Sequence, residues 1–382
     1  MKSPDFTVDR RTLLSGLAGA TSMLGGSRAA AQTKPAPPPS GDRRGKPGPR
    51  NLITDVSGIT VGQADSPAVR TGVTVIVPDK ESTAAVDVRG GGPGTRETDA
   101  LDTYNLVHAV DAIVLSGGSV YGLAAADGVC TWLGANNRGY SAMAMPGVPK
   151  SPIVPAAILF DLPNGGDKNW GLEPPYRALG IRAVQNASQT FALGTAGAGY
   201  GAGAGSLKGG TGSASVVTFD GMTVGAIVAV NSLGSVIGPD GKGFWAAPFE
   251  MNNEFGGLAP PAARIGADDW GSSKASPAAR QNTTIACVAT DVELTPDEMK
   301  RVVMMAQDGL PRAIRPIHSP FDGDVVFGIS TGKRPAPEPR AFTVARIGAL
   351  AADTLTRAVA RGVFEATNPP GAKTQTWKSL RG

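Results

Sequence analysis

Histidine is scarce in this chain, with only His108 and His318 among 382 residues. A Ser-His-Asp hydrolase would have to use one of them, and neither lies in a motif that supports such a triad. The chain also lacks a set of His and Cys ligands at the spacing that a zinc site requires. If the protein is a hydrolase, we therefore expect chemistry that uses neither histidine nor a metal or other cofactor.

Cysteine and charge are scarce as well. The two cysteines, Cys130 and Cys287, lie inside apolar runs, which favours buried free thiols over a disulfide. Charged residues make up 18% of the chain, and several basic residues behind the net charge of +4 lie at the two ends, so no nucleic-acid-binding patch is indicated. Hydrophobic residues make up 41%, and the 52 glycines and 31 prolines are typical of a loop-rich globular protein.

The first 31 residues predict a twin-arginine export signal. Arg10 and Arg11 precede a weakly apolar, Gly/Ala-rich stretch, which ends in an Ala-x-Ala pattern with a cut near Ala31. The stretch is too short and too interrupted by glycine to anchor the chain in a membrane. Residues 32–50 are basic and Pro-rich, which predicts a disordered linker. We therefore expect a periplasmic or secreted protein that is exported in a folded state.

The rest of the chain predicts one α+β domain over residues 51–368, followed by a mobile tail over residues 369–382. The order of strands and helices predicts sheets stacked between helical layers. Predicted strands include residues 53–56, 71–77, 84–88, 112–115, 153–160, 213–220, 222–232, 283–291 and 325–329, and predicted helices include 175–187, 296–310 and 342–366.

Two glycine-rich stretches invite a ligand-binding interpretation. In residues 194–212, Lys208 is followed by Gly209, whereas a phosphate-binding P-loop needs Ser or Thr there. The dinucleotide fingerprint fits only with a relaxed last position, and a helix-like segment rather than a strand precedes it. In the second stretch, Gly117, Gly118 and Ser119 lie between a strand and a helix. Their backbone amides could hold an anion or an oxyanion, and the alternative is a tight turn.

The most informative stretch is the short apolar run that opens on Thr283 and Thr284. It is bounded by polar residues and rich in β-branched ones, which predicts a buried strand. A strand that begins on a hydroxyl residue directly after Asn282 is a place where the chain could be cut to expose a catalytic N-terminus. A threonine with a free α-amino group carries nucleophile and base in one residue. Without further context, a threonine there is more often a plain strand residue.

This stretch is one of seven short motifs along the chain. Together, and in the same order, they resemble the motifs of the β-peptidyl aminopeptidases, a group that contains the L-aminopeptidase/D-amidase-esterases and the related nylon-oligomer hydrolases. Each motif is short, but the ordered set is specific. It consists of ITDV at 53–56, GVT at 72–74, RGG at 89–91, LSGGS at 115–119, KGG at 208–210, NTT at 282–284 and DGD at 322–324.

The resemblance implies an N-terminal-nucleophile-like αββα sandwich. The precursor would cut itself between Asn282 and Thr283 into an α chain, residues 32–282, and a β chain, residues 283–382. The two chains would stay associated, and relatives of this kind assemble as homo-oligomers. We therefore expect a homo-oligomer of αβ units that binds a small peptide or amide, with no nucleic-acid or membrane partner.

The resemblance also assigns roles by position. Thr283 would be the nucleophile, Asn231 would stabilise the oxyanion, and Lys208 would match a lysine after the glycine loop. Asp322 and Asp324 would lie near the amine of the nucleophile. Without the resemblance, Asn231 could end a strand in a turn, Lys208 could be a solvated loop lysine, and the two aspartates could belong to a plain turn.

One position departs from the pattern. Where some relatives have a tyrosine before Asp161, this chain has Phe160, so a phenolic hydroxyl is missing from the expected substrate pocket. Gly117, Gly118 and Ser119 are the other candidates for that pocket.

These observations predict a self-processing aminopeptidase or amidase. It would release N-terminal residues from short peptides, β-peptides or amino-acid amides through an acyl-threonine intermediate. A free α-amine has an ordinary pKa of about 7.7–8.0 and can act as a base near neutral pH. Two alternatives stay open: an acyltransferase with the same acyl-threonine chemistry, and a non-enzymatic periplasmic protein that binds a ligand with its glycine loops.

Overall fold

Runs of β-branched residues form two stacked sheets in the computed structural model, which describes residues 44–141, 145–262, 264–274 and 282–382. The predicted export signal and most of the predicted linker lie outside the described residues. The strands are β1 (Ile59–Ser66), β2 (Thr71–Pro78), β3 (Ser82–Val88), β4 (Thr95–Arg96), β5 (Ala109–Val110), β6 (Ile113–Ser116), β7 (Ala156–Ile158), β8 (Gly203–Ala204), β9 (Leu207–Lys208), β10 (Thr211–Val217), β11 (Thr223–Asn231), β12 (Thr283–Val292) and β13 (Val325–Arg334).

Helices cover the outer faces of both sheets. The order of strands in the described residues is β1-β2-β6-β7-β4 in one sheet and β10-β11-β12-β13-β3-β5 in the other, and β8 and β9 form a separate pair. The helices are α1 (Ala124–Ala135), α2 (Tyr176–Gln185), α3 (Pro296–Ala306), α4 (Gly309–Ala313), α5 (Arg340–Phe364) and α6 (Trp377–Arg381).

Alternating side chains separate the layers. Ile285 and Cys287 on β12 pack between the two sheets, whereas Ala286 and Val288 on the same strand pack towards α3 and α5. Because successive strand residues point to opposite faces, one apolar strand can serve both layers. The first sheet does the same between the inter-sheet core and α1 and α2. The predicted αββα sandwich of the α+β class is confirmed.

Strand β12 lies inside the six-stranded sheet, antiparallel to β11 and parallel to β13. The chain between β12 and β13 passes through α3, whose start carries a capping box. The Thr295 side chain accepts from the Glu298 amide, and the Glu298 carboxylate accepts from the Thr295 amide. This crossover brings the start of β13 beside the start of β12.

Three local predictions differ from the structure. Residues 53–55 form a 3-10 helix rather than a strand, because the Asp55 carboxylate accepts from the backbone amides of Arg50 and Leu52 and from the Ser215 hydroxyl. Strand β7 is shorter than the predicted strand at 153–160. Part of the predicted linker packs on β10, where Lys46 donates its backbone amide to Val217 at 2.9 Å.

The C-terminal tail, predicted to be mobile, is packed in the structure. Trp377 opens α6 and is only 3% exposed, with its ring 4.4 Å from that of Phe244. A buried tryptophan contributes a large apolar area, which favours docking of the short helix. The two cysteines are unpaired, as predicted, and Cys287 is buried.

Candidate active site

Thr283 is the first residue of β12, an inner strand of the six-stranded sheet. Its neighbour across the ladder is Asn231, the last residue of β11. Both are buried, and Thr283 is 3% exposed. The antiparallel register therefore places the predicted nucleophile and the predicted oxyanion donor in one residue pair.

The carbonyl group before Thr283 receives two hydrogen bonds. The Thr283 hydroxyl donates to the Asn282 carbonyl oxygen, and the backbone amide of Gly323 donates to the same oxygen at 2.9 Å. Donors of this kind stabilise negative charge that develops on a carbonyl oxygen. The bond between Asn282 and Thr283 thus has a hydroxyl and a fixed amide donor beside it.

Sequence reasoning treated Gly323 only as part of a turn. A backbone amide carries no signature of residue type, so the sequence gives little signal for this donor. The need for glycine is steric, because a Cβ at position 323 would lie 2.9 Å from the Thr283 hydroxyl oxygen and 2.8 Å from the Gly92 carbonyl oxygen. The glycine allows the loop to approach Thr283 closely.

Asp324 holds the start of β12 in place. Its carboxylate is fully buried and accepts from the Thr284 backbone amide at 2.7 Å. It also accepts from the His318 backbone amide at 3.0 Å and lies 2.9 Å from His318 Nδ1. Asp324 therefore links the strand of the candidate nucleophile to the loop before β13.

Asp322 is the second buried carboxylate. It accepts from the backbone amides of Leu233 at 3.1 Å and Ser319 at 3.3 Å, and from the Ser319 hydroxyl. Burial raises the pKa of Asp322, and the nearby charge of Asp324 raises it further. A cation close to this pair would relieve the unfavourable burial of two like charges.

Asn231 uses its side chain to connect the two sheets. Its Oδ1 accepts from the Gly203 amide at 2.9 Å, and its Nδ2 donates to the Phe160 carbonyl at 3.1 Å. Phe160 follows β7 in the other sheet. The Asn231 amide is therefore oriented by the separate β8–β9 pair and by the residue that follows β7.

Lys208 is buried, unlike the solvated loop lysine considered as an alternative. It is 4% exposed, and its ammonium donates to three backbone carbonyls: Gly199 at 3.2 Å, Ala202 at 2.9 Å and Gly209 at 2.7 Å. Burial lowers the pKa of Lys208 to about 7, against the attraction of Asp161. The glycine-rich stretch thus folds around a lysine rather than around a phosphate.

A second lysine, Lys274, was not predicted. Its Nζ donates to Asn282 Oδ1 at 2.9 Å and to the Asn231 carbonyl at 3.3 Å. Burial lowers the pKa of Lys274 to about 8, against the attraction of Asp322. No motif surrounds Lys274 in the sequence, so only the folded chain shows that it lies beside the junction.

Asn231, Lys208, Lys274 and Asn282 border a cavity of about 220 Å³, whereas Thr283, Asp322 and Asp324 are not among its described lining residues. Phe160, the candidate for the substrate pocket, lines this cavity, and Tyr200 contributes a second aromatic ring. Residues of the tail form part of one wall. The lining includes Arg70, Phe160, Asp161, Tyr200, Lys208, Asn231, Lys274, Asn282, Pro369, Ala372 and Thr374.

Gly117, Gly118 and Ser119 are absent from the lining of this cavity in the described part of the chain. Their amides are used by protein acceptors: Gly118 donates to Asp161 Oδ1 at 2.8 Å, Gly117 to the Gly72 carbonyl and Ser119 to the Leu159 carbonyl. The glycine turn therefore supports Asp161, which lines the cavity, instead of offering an anion site of its own.

The described ranges contain no group of three or more His, Cys, Asp or Glu side chains that could hold a metal ion. His318, which lies near both aspartates in the sequence, faces the Asp324 carboxylate.

An αββα sandwich with a candidate nucleophile at the start of an inner strand is typical of N-terminal-nucleophile hydrolase folds. A solved structure of the L-aminopeptidase D-Ala-esterase/amidase from Ochrobactrum anthropi, described as a variant of that fold, superposes with a TM-score of 0.62 at 22% identity, covering 88% of this chain and 94% of that one. At this identity the likeness shows the fold.

Sequence comparison gives the family. The model of Peptidase family S58 matches residues 51–377, so the chain belongs to that family. It is 44% identical over 342 residues to an uncharacterized aminopeptidase of Mycobacterium tuberculosis, covering 85% of this chain and 96% of the relative. A 6-aminohexanoate-oligomer endohydrolase of Kocuria sp. is 28% identical over 337 residues, covering 82% and 86%. The predicted resemblance and the hydrolase class, of the aminopeptidase and amidase type, are confirmed.

Proposed function

We propose that the protein cuts itself before Thr283 and then uses the new N-terminal threonine to hydrolyse short peptides or amino-acid amides. One observation carries this proposal: the Thr283 hydroxyl and the Gly323 amide both donate to the carbonyl oxygen of Asn282. Nucleophile, scissile carbonyl and an oxyanion donor are thereby assembled in the uncut chain.

The self-cleavage would proceed in two steps, an acyl shift from nitrogen to oxygen and then hydrolysis of the ester. The Thr283 oxygen attacks the Asn282 carbonyl carbon, the C–N bond breaks, and the nitrogen takes the hydroxyl proton and leaves as an amine. Water then cleaves the resulting ester, which gives a carboxylate on Asn282 and a free Thr283 hydroxyl. The Gly323 amide would stabilise the oxyanion in both steps.

Substrate hydrolysis would repeat the same chemistry with an external carbonyl group. The Thr283 amine accepts the hydroxyl proton while the oxygen attacks, and it returns the proton to the leaving amine. Water then attacks the acyl-threonine ester, which releases the acyl group as a carboxylic acid and restores the Thr283 hydroxyl. The Asn231 amide is the candidate oxyanion donor, and one such donor is typically worth about 2.7–4 kcal/mol. Asp322 and Asp324 would orient the amine and stabilise its protonated form.

The size of the cavity supports a small substrate. Its volume of about 220 Å³ is below the roughly 300–1,000 Å³ of pockets for drug-sized ligands. The names of the relatives support hydrolysis of amide bonds, since one is called an uncharacterized aminopeptidase and another a 6-aminohexanoate-oligomer endohydrolase. Short α-peptides, β-peptides and aminoacyl amides are the substrates that we propose.

Location and assembly complete the proposal. The twin-arginine pattern of residues 1–31 supports export to the periplasm, and the resemblance supports a homo-oligomer of αβ units. Among the helices of the described residues, none is long and apolar enough to cross a membrane.

The first test is the intact mass of the purified wild type beside that of Thr283→Ala. The wild type should contain a chain that begins at Thr283 and ends at Gly382, and the variant should stay uncut. Thr283→Ser is the matched control, because it keeps a hydroxyl at the same position and should still be cut. A wild type that stays full-length after prolonged incubation would contradict the proposal and favour a ligand-binding protein.

A second measurement separates hydrolysis from acyl transfer. The cut protein should release free amino acid from an aminoacyl amide in water alone. A requirement for an added amine as acyl acceptor would favour the acyltransferase.

A further inference from the structure

In the uncut chain, Asn282 occupies the position at which the acyl residue of a substrate would later be attached to Thr283. During self-cleavage the residue that becomes esterified to Thr283 is Asn282, and during substrate hydrolysis it is the N-terminal residue of the substrate. Both intermediates are esters of the same hydroxyl, so their acyl groups extend from the same atom. The surroundings of the Asn282 side chain therefore describe one orientation that an acyl side chain can take.

The Asn282 side chain lies in a closed polar environment. The residue is 1% exposed, and its Oδ1 accepts from Lys274 Nζ at 2.9 Å. The same ammonium donates to the carbonyl of Asn231, the strand partner of Thr283, at 3.3 Å. Lys274 is thereby tied to the pair of residues at the reacting centre while it binds the side-chain oxygen.

The amide nitrogen of the same side chain is treated differently. Asn282 Nδ2 is buried and has no hydrogen-bond partner among the described residues. A buried polar atom without a partner is unfavourable, so this environment favours an oxygen acceptor over a nitrogen donor. The feature that the site recognises is therefore the side-chain oxygen.

The charges around the cavity point to the same ligand chemistry. Among the described residues, Arg70, Lys208 and Lys274 line it, together with one carboxylate, that of Asp161. Both oxygens of Asp161 accept from protein donors, Thr71 at 2.7 Å and the Gly118 amide at 2.8 Å. An acyl group with an acceptor oxygen or a negative charge suits such a lining.

We propose that the acyl subsite selects N-terminal residues of the asparagine or aspartate type, with Lys274 as the residue that determines this specificity. The inference rests on the proposed function and names the substrate class of the same site. Lys274 binds the side-chain oxygen of the acyl residue, while Thr283 reacts with its carbonyl group.

Leucine provides the matched comparison, because it has nearly the shape of asparagine without the polar atoms. A hydrogen bond to a charged donor contributes about 1.5–3 kcal/mol, which corresponds to roughly 10- to 150-fold in kcat/KM. A site that hydrogen-bonds a substrate group also rejects the analogue without it, since its own polar group is left unpaired.

The experiment measures kcat/KM for the p-nitroanilides of L-Asn, L-Asp and L-Leu with the self-cleaved wild type. Both polar substrates should exceed the leucine substrate by about tenfold or more. In Lys274→Met the ratio of Asn to Leu should fall to about threefold or less. Lys333→Met, which removes a surface lysine paired with Asp79, is the control and should keep the wild-type ratio.

A wild type that hydrolyses leucine p-nitroanilide as well as the asparagine substrate, or better, would overturn the inference and leave the proposed function intact. So would a Lys274→Met enzyme that keeps the wild-type ratio. If Lys274→Met is not cut, Lys274→Arg, which retains a charged donor, should be cut and keep the preference, and the wild-type panel still decides. An uncut wild type without activity on any of the three substrates would overturn the proposed function as well.

Discussion

The candidate active site contains two carboxylates buried in the loop before β13 and two lysines that line the cavity. We refer to Asp322 and Asp324 as the carboxylate side and to Lys208 and Lys274 as the lysine side. On the carboxylate side, backbone amides and neighbouring side chains donate to the oxygens. On the lysine side, the ammonium groups donate mainly to backbone carbonyls.

This difference suggests separate roles for the two sides, the carboxylate side in self-cleavage and the lysine side in substrate binding. Burial raises the pKa of Asp322 and lowers the pKa of Lys208 and Lys274, so each side carries charge that its surroundings disfavour. Under the proposed function, cleavage creates a protonated amine at Thr283 that balances the negative charge of the carboxylate side. The lysine side lines the cavity, where an acceptor oxygen or a negative charge of the substrate would bind the ammonium groups.

Asp324→Asn should have the largest effect on stability, because it removes a buried charge from the carboxylate side. The carboxylate serves the Thr284 amide and two nitrogens of His318, and the amide group of asparagine would replace one acceptor by a donor. Breaking a buried, charged hydrogen-bond network costs about 3 kcal/mol. We expect the free energy of unfolding to fall by about that much in urea titrations, measured in a Thr283→Ala background in which neither protein is cut.

The control for this prediction is Asp308→Asn, since the Asp308 side chain is 61% exposed. Its effect should stay within about 0.5 kcal/mol. Equal stability of Asp324→Asn and the control would show that the carboxylate side does not hold the start of β12.

Lys208→Met should change how the free energy of unfolding depends on pH. The pKa of Lys208 is about 7 in the folded protein, and its ordinary value is 10.5. Between these values the unfolded chain binds one more proton than the folded chain, so the contribution of Lys208 to stability rises with pH from about 7 and is constant below. Relative to Lys208→Met, the parent protein should gain about 2 kcal/mol between pH 7 and pH 9.

This measurement also uses urea unfolding in the Thr283→Ala background. A difference between the two proteins that does not change with pH would show that Lys208 stays protonated throughout. The lysine side would then resemble a solvated surface rather than the buried group described above.

Phe160→Tyr should have the smallest effect. The variant adds the phenolic hydroxyl that some relatives have, at a residue that lines the cavity. An added hydrogen bond to the substrate contributes about 0.5–1.5 kcal/mol, so kcat/KM should rise by roughly 2- to 10-fold. Phe342→Tyr, on the surface at α5, is the control and should leave kcat/KM unchanged. A decrease with Phe160→Tyr would indicate that the hydroxyl obstructs the cavity instead of binding the substrate.

The sequence predicts the frame of the site because that frame depends on local patterns. The β-branched run from Thr283, the strand that ends at Asn231 and the helix that follows Thr295 each carry their own periodicity or cap. A short pattern is misleading where a side chain captures the backbone, as Asp55 does at residues 53–55, or where the backbone amides of a glycine turn are already used, as Asp161 uses that of Gly118.

The contacts that complete the site depend on residues far apart in the chain. The Gly323 amide reaches the Asn282 carbonyl only because β12 and β13 are neighbours, and Lys274 reaches Asn231 across a loop. Neither contact has a motif of its own. The burial of Lys208 by three carbonyls is equally invisible in a stretch of glycines.

The position of β12 between β11 and β13 has a consequence for the lifetime of the protein. A cut before Thr283 would leave β12 and β13 on one polypeptide, inserted between β11 and β3 on the other. The pieces could separate only by breaking the ladders on both sides of the insert. Once separated, they would have to find each other in solution, without the covalent connection that guided the first folding. Maturation at this bond would make unfolding a one-way event, so survival of the mature enzyme would be governed by its unfolding rate rather than by an equilibrium.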